Sequence, residues 1–229
     1  GGNFESKNIV LERMITDSSA KWDSAPVQLA GIGDATVIFR REGQGWAPVL
    51  MSAPSAALQS KGLHELGLYT LVPLRPPRKT KLTTQPGSRI GQYSGRIVVN
   101  SQDQYAAGQE AEHLARQGRK HLLRLRSAEH GWVVVDGEGG PLPLLHLIND
   151  ARGTGREPNV RFTEQGVAVA RRNVPGANLM AAGALSDIAT SELLASYGGD
   201  FWSVHGTLGQ EDNPQLVEAL VSSEQLCVF

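Results

Sequence analysis

Short apolar runs that alternate with polar positions dominate the chain, and glycine-containing turns separate them. Because a half-buried strand hides every second side chain, such runs predict β-strands joined in hairpins. We predict hairpins that pair 36–41 with 46–51, 121–126 with 132–135, and 159–162 with 167–170. Two further strands, 89–93 and 95–99, are expected to meet at a kink. The fold class is therefore predicted to be mostly β with minor α.

Helical spacing of apolar residues is confined to two short segments. Residues 109–116 are predicted to form a helix that Gly118 ends, and residues 214–221 a second helix, with Asn213 as its cap and Pro214 in its first turn. Residues 71–88 contain four prolines and a cluster of lysines and arginines, so we expect a loop there.

Composition and charge exclude several functional classes. The 229 residues are 40% hydrophobic and 20% charged, as in an ordinary globular domain, and the net charge of −1 lacks the basic excess of a direct nucleic-acid binder. A single cysteine, Cys227, cannot form an internal disulfide or a multi-cysteine zinc site. No apolar run is long enough for a membrane span, and no signal peptide is visible. Gly1 and Gly2 resemble the remnant of an expression tag.

Common catalytic motifs are missing from the sequence. There is no Gly-x-Ser-x-Gly nucleophile elbow, no P-loop and no complete Gly-x-Gly-x-x-Gly. The six histidines are scattered without the spacing of metal ligands, so no metal site is expected. Four other segments, in order along the chain, carry the functional signal.

The first two segments lie between residues 62 and 97. Residues 62–70 read Gly-Leu-His-Glu-Leu-Gly-Leu-Tyr-Thr, which resembles the opening strand of SET-domain protein-lysine methyltransferases, although Glu65 replaces the first of its two glycines. The resemblance implies that Leu66 and Gly67 lie against the cofactor, where a glycine has no side chain to block close approach. Residues 90–97 are similar to the Gly-Pro-Tyr-x-Gly-Arg-Ile strand of the PR subclass. The resemblance implies that Tyr93 lines the substrate-lysine channel and acts in catalysis.

The third and fourth segments complete the resemblance. Residues 145–152, followed by 157–160, are similar to the family's Asn-His motif in its PR-type spelling, which implies that Asn149 and Asp150 bind the cofactor. Residues 185–202 look like the closing motif, and they place Tyr197 at the catalytic tyrosine, which also contacts the cofactor, and Trp202 at another cofactor-contacting aromatic. The lysine channel would be lined by Tyr93, His121, Ala195, Phe201 and Trp202.

The resemblance implies a SET-domain β-fold of several small sheets with a knot-like C-terminal threading. Residues 1–60 would form a flanking segment with a β-hairpin, 61–205 the SET-like catalytic domain, and 206–229 a helical segment that closes the cofactor site. It also implies S-adenosylmethionine as methyl donor, which becomes S-adenosylhomocysteine, and no metal. The partner would be a protein with a target lysine, most plausibly a histone tail, and the location nuclear or otherwise cytoplasmic, not secreted or at a membrane.

The chemistry fits these residue types. A lysine amine must be neutral to attack the methyl group, yet free lysine has a pKa of about 10.4. An apolar channel beside a sulfonium cation disfavours the ammonium form through desolvation and like charge. A small residue at Ala195 predicts room for more than one methyl group. Two alternatives stay open: a catalytically weak or silent SET/PR-like binding module, and an unrelated β-rich binding module.

Overall fold

The computed structural model describes residues 13–29, 33–55, 58, 65–71, 83–176 and 224–229. In this part of the chain the strands form several small sheets, and the prediction of a mostly β protein with minor α is confirmed. No helix among these residues has both the length and the apolar character that crossing a bilayer requires.

The N-terminal sheet is antiparallel and follows the chain order. The hairpin predicted at 36–41 and 46–51 is confirmed, and its strands extend to a turn at Gly43, which has a φ of +60° that favours glycine. The four strands are β2 (Trp22–Leu29), β3 (Gly33–Glu42), β4 (Gly45–Pro54) and β5 (Leu66–Thr70), with β1 (Met14–Ile15) preceding them in another sheet.

The second sheet has the order β1, β8 (Gly95–Ser101), β10 (Gly131–Asp136) and β9 (Leu122–Ser127), and it carries a helix. Its hairpin of β9 and β10 confirms the second predicted hairpin. Helix α1 (Gln104–Arg116) packs on this sheet and ends before Gly118, as predicted. It begins five residues earlier than predicted, because the Asp103 side chain caps it by accepting hydrogen bonds from the backbone N–H groups of Tyr105 and Ala106.

A three-stranded sheet has the order β12 (Val160–Phe162), β13 (Val167–Ala170) and β7 (Arg89–Gln92). The third predicted hairpin is confirmed by β12 and β13. Strands β7 and β8 follow each other along the chain but belong to different sheets, so the predicted kink is the point where the chain leaves one sheet for another.

Two small sheets pair distant parts of the chain. Strand β6 (Thr83–Thr84) pairs with β14 (Val174–Pro175), so the prediction of a loop throughout 71–88 is wrong at this point. Strand β11 (Asn149–Asp150), which follows a 3₁₀ turn at Leu145–Leu147, pairs in parallel with β15 (Cys227–Val228). Such two-residue pairings give almost no periodic signal in a sequence.

A shared core joins the sheets. Ile38, Leu50 and Leu68 of the N-terminal sheet belong to the same buried cluster as Ile90 and Leu226. The expected boundary at residue 60 therefore falls inside one sheet, since β4 and β5 lie on either side of it and pair directly.

The expected helical character of 206–229 is wrong for its last residues. Cys227–Val228 is a strand, and Leu226 is fully buried in the core. The helix predicted at 214–221 lies outside the described residues.

Candidate functional site

Two of the segments predicted to bind the cofactor meet in the structure. The side chain of Asn149, on β11, donates from Nδ2 to the Leu66 carbonyl oxygen at 3.3 Å and to the Ser55 hydroxyl at 3.1 Å. Gly67 is the next residue along β5, and Asp150 the next along β11. The fold thus brings together residues that are more than 80 positions apart in sequence.

Ser55 connects Asn149 to the C-terminal strand. Its hydroxyl is fully buried, accepts from Asn149 Nδ2 and from the Leu58 backbone N–H at 3.1 Å, and donates to Gln225 Oε1 at 3.0 Å. A hydroxyl has one proton and two lone pairs, so its hydrogen-bonding capacity is fully used. We call Ser55, Leu66, Gly67, Asn149 and Gln225 the asparagine site.

Gly67 is required at this site for a reason that differs from the expected one. The sequence suggested that a glycine leaves space for the cofactor, whereas the structure places the side chain of Gln225 beside it. A Cβ at position 67 would lie 2.5 Å from Gln225 Nε2 and 2.6 Å from its Cδ, closer than side chains approach.

The C-terminal strand is fixed between β5 and β11. The backbone N–H of Leu226 donates to the Leu68 carbonyl at 2.8 Å, while Cys227 pairs with Asn149. Asn159, which is 2% exposed, donates to the Gln225 carbonyl at 2.9 Å and accepts from the Cys227 N–H at 2.8 Å. Asn159 therefore holds the strand that lies next to the asparagine site.

Asp150 differs from its neighbour Asn149 because its carboxylate is already bound. Arg152 Nε lies 3.0 and 2.8 Å from the two carboxylate oxygens, and the Arg152 backbone N–H donates to Oδ1 at 2.8 Å. Its side chain thus belongs to a surface ion pair with Arg152.

Tyr93, predicted to line the channel and to act in catalysis, is enclosed in the described structure. It is 4% exposed, its hydroxyl donates to the His121 carbonyl oxygen, and its ring meets Phe162 edge-on at 5.6 Å. Burial, together with the nearby Asp136 carboxylate, raises the pKa of Tyr93 despite an opposing backbone hydrogen bond at Gly137.

His121, the other described channel candidate, packs against His146. The rings are 5.2 Å apart and nearly perpendicular, and His121 Nδ1 lies 3.1 Å from the His146 carbonyl oxygen. Because a carbonyl only accepts, Nδ1 carries the proton. Burial and the proximity of His121 lower the pKa of His146 to about 4, although Asp136 opposes the shift.

These residues close around Gly137. A Cβ on Gly137 would lie 2.6 Å from the His146 Cβ and 2.8 Å from the Tyr93 hydroxyl. We call Tyr93, His121, Asp136, Gly137 and His146 the tyrosine corner. It adjoins the asparagine site through the chain itself, since two residues separate His146 from Asn149.

The remaining predicted site residues lie outside the described residues. They are Ala195, Tyr197, Phe201 and Trp202. Their contacts with Asn149 and Tyr93 stay predictions.

Sequence reasoning missed two residues of the asparagine site, Ser55 and Gln225, and the neighbouring Asn159. Asn159 belongs to the motif that suggested the family, but nothing in its local sequence indicated a buried bridge to residues 225–227. Ser55 and Gln225 gave no local signal, because their roles arise from contacts across 94 and 170 positions.

The described ranges contain no group of three His, Cys, Asp or Glu side chains placed as metal ligands would be.

Comparisons with protein-family models, with curated proteins and with solved structures found no match.

Proposed function

We propose that this protein is an S-adenosylmethionine-dependent protein-lysine N-methyltransferase of the SET-domain type. The observation that carries the proposal is the contact between Asn149 and the Leu66–Gly67 strand, because these are the two described segments that the motifs assign to the cofactor. The C-terminal strand between β5 and β11 supports the finer proposal of a SET-type fold with knot-like threading.

The chemistry of Asn149 suits the amino-acid end of the methyl donor. Both of its Nδ2 protons are used, by Ser55 and Leu66, whereas its Oδ1 has no partner among the described residues. Asn149 is half-buried, so this acceptor oxygen can meet the ammonium group of a bound donor. The donor would supply an activated methyl group, and this chain would bind and orient it.

The proposed division of roles follows from the motifs and, for Tyr93, from its burial. Asn149 and the backbone of Leu66 and Asp150 hold the donor, and Tyr197 contacts it near the transferred methyl group. Tyr93 contributes a buried wall to the lysine channel, because its hydroxyl is already committed to His121. The proposed substrate is a lysine in a protein, in the first instance a histone tail, which would place the activity in the nucleus.

A second candidate function is supported by one observation. The Gln225 side chain occupies the space beside Gly67 where close approach of a cofactor was expected. This favours a SET/PR-like module that is catalytically weak or silent and that binds a partner without transferring methyl groups.

A methyl-transfer assay separates the two candidates. The protein is incubated with mixed histones and S-adenosylmethionine labelled in its methyl group, beside a Tyr197→Phe variant as matched control. The proposal predicts label on lysine that falls at least tenfold in the variant. Donor binding measured by calorimetry without any transfer supports the silent module, and the absence of both rejects the SET-type proposal.

A further inference from the structure

A small cleft opens between the N-terminal sheet and β7, and it shares no lining residue with the asparagine site or the tyrosine corner. Its volume is about 200 Å³. Since one water takes up about 30 Å³ of the liquid, the cleft suits a single functional group on a short stem and not a nucleotide. Apolar side chains form part of its lining: Val49, Leu50, Leu71 and Ile90.

Two arginines line the same cleft, and their ion pairs differ. Arg89 Nη2 lies 3.1 Å from Asp17, whose side chain is fully buried and also accepts from the backbone N–H of Gln92 at 2.8 Å. Arg40 Nη2 lies 2.6 Å from Glu42 Oε1, and both of these side chains are exposed, at 37% and 52%. The first pair is fixed by burial, whereas the second is a surface pair of the kind that contributes little. Arg40 is therefore able to exchange Glu42 for another carboxylate.

A buried hydroxyl in the lining lacks a partner. Thr70 is 4% exposed, and its Oγ1 makes no hydrogen bond within the part of the chain that the structure describes. A buried polar group left without a partner is unfavourable. The Thr70 oxygen has almost no accessible surface, so it borders the cleft without offering a contact to a ligand. Ser88 and Thr84 add two further hydroxyls to the lining.

We propose that this cleft binds a carboxylate carried on a short, unbranched aliphatic stem. The carboxylate replaces Glu42 on the Arg40 guanidinium and accepts from the hydroxyls of Thr84 and Ser88, while the stem lies on Val49 and Ile90. Glu42 already shows the contact that the ligand would make. A free short-chain acid and the side chain of a glutamate in a peptide share this chemistry.

The test is a titration of the ¹⁵N-labelled protein with butyrate, followed through the backbone amide signals of Leu50, Thr70, Leu71 and Ile90. We expect saturable shifts with a Kd on the order of 1 mM, as for a ligand of few atoms. Butyramide, which has the same shape without the charge, should bind at least tenfold more weakly. A short peptide with one glutamate, compared with its glutamine version, decides whether a peptide side chain or a free acid is preferred.

Variants with opposite expected effects sharpen the test. Arg40→Met should weaken butyrate binding by about tenfold or more, because a charge-assisted hydrogen bond is lost. Glu42→Gln should tighten it by about two- to fivefold, because an internal competitor is removed. Arg41→Met is the matched control: Arg41 is the next residue on β3 and its guanidinium lies over the Trp46 ring, so binding should stay within about twofold of wild type.

Thr70→Val provides an independent readout. Removing an unpartnered buried hydroxyl should raise the melting temperature of the free protein, and butyrate binding should stay within about twofold of wild type because this oxygen is not accessible from the cleft. The proposal is overturned if no saturable shift appears by about 50 mM butyrate, if butyramide binds as well, or if Arg40→Met binds like Arg41→Met.

Discussion

Residues 146–149 connect the tyrosine corner, which contains His146, to the asparagine site, which contains Asn149. The two sites differ in the polar atoms that remain available to a ligand. Asn149 is half-buried and keeps one acceptor oxygen without a partner among the described residues. Tyr93 is almost fully buried, and its hydroxyl proton is given to the His121 carbonyl. Both residues were predicted to act in the site, yet only Asn149 retains a polar atom that a ligand can reach.

The difference teaches that a motif residue can be required for shape and not for contact. Tyr93, His146 and Gly137 fill a corner so tightly that a single added carbon at Gly137 would collide with the other two. The asparagine site instead depends on one network of polar groups that ends at the C-terminal strand. Changes at the asparagine site should affect donor binding and stability together, whereas changes at the tyrosine corner should affect stability and leave donor affinity unchanged.

The largest loss of stability is expected at Asn159, which holds the C-terminal strand in place. Asn159→Ala removes two hydrogen bonds to buried backbone groups of Gln225 and Cys227 and leaves a cavity. We expect a loss of about 3–4 kcal/mol in the free energy of unfolding, measured by urea denaturation. Asn173→Ala, the same change at an exposed position, is the control and should cost under about 0.5 kcal/mol. Equal effects in the two variants would mean that Asn159 does not hold the strand.

Ser55 tests whether the asparagine site works as one network. Ser55→Ala removes three hydrogen bonds of a fully buried hydroxyl, and the orphaned groups should cost about 2 kcal/mol. Because the Asn149 amide then loses its partner, donor affinity measured by calorimetry should also fall. Ser18→Ala, the same change at an exposed serine outside the site, is the control and should leave both quantities unchanged. Unchanged affinity with reduced stability in Ser55→Ala would separate Ser55 from the binding site.

The position of His146 in the tyrosine corner predicts that the folding stability depends on pH. The pKa of His146 is lowered to about 4 in the folded protein, against an ordinary value near 6.5, so the unfolded chain binds more protons between these two values. The stability that this histidine contributes is present above pH 6.5 and is lost as the pH falls towards 4. We expect a loss of about 1–2 kcal/mol after allowing for residual exposure of the ring. Urea denaturation at both ends of this range checks it, and the decline should shrink in His146→Phe.

The smallest effect on stability is expected when the hydroxyl oxygen of Tyr93 is removed. Tyr93→Phe keeps the ring against Phe162 and removes the hydrogen bond to His121, which should cost about 1 kcal/mol in thermal or urea unfolding. Tyr105→Phe, at a side chain that is 73% exposed, should be neutral. If Tyr93→Phe instead abolished donor binding at unchanged stability, the contrast between the two sites would be lost.

The sequence predicted the local features of the fold well. Each predicted hairpin forms, because alternation of apolar residues around a glycine turn is a local signal, as at Gly43 and Gly166. The start of α1 was missed because the capping role of Asp103 outweighs the weak helical pattern that follows it. Strands of two residues, such as Cys227–Val228, are too short to show any period.

The candidate site was predictable only in part. The structure brings Asn149 into contact with Leu66, and the binding of a cofactor by their two segments stays a prediction. The enclosure of Tyr93 and the place of Gln225 beside Gly67 were not foreseen, because each depends on which distant strand is the neighbour. A motif indicates that a residue is functionally or structurally important. It does not indicate whether the polar atoms of that residue contact a ligand or other residues of the protein.

Calorimetric titration of S-adenosylmethionine into the wild-type protein, Asn149→Ala and Tyr93→Phe tests the central claim most directly. The account predicts saturable binding to the wild type, a loss of at least about tenfold in affinity for Asn149→Ala, and affinity within about twofold of wild type for Tyr93→Phe. Circular dichroism confirms that each variant is folded. The account is contradicted if the folded wild type does not bind the donor, or if Asn149→Ala binds it as tightly as the wild type does.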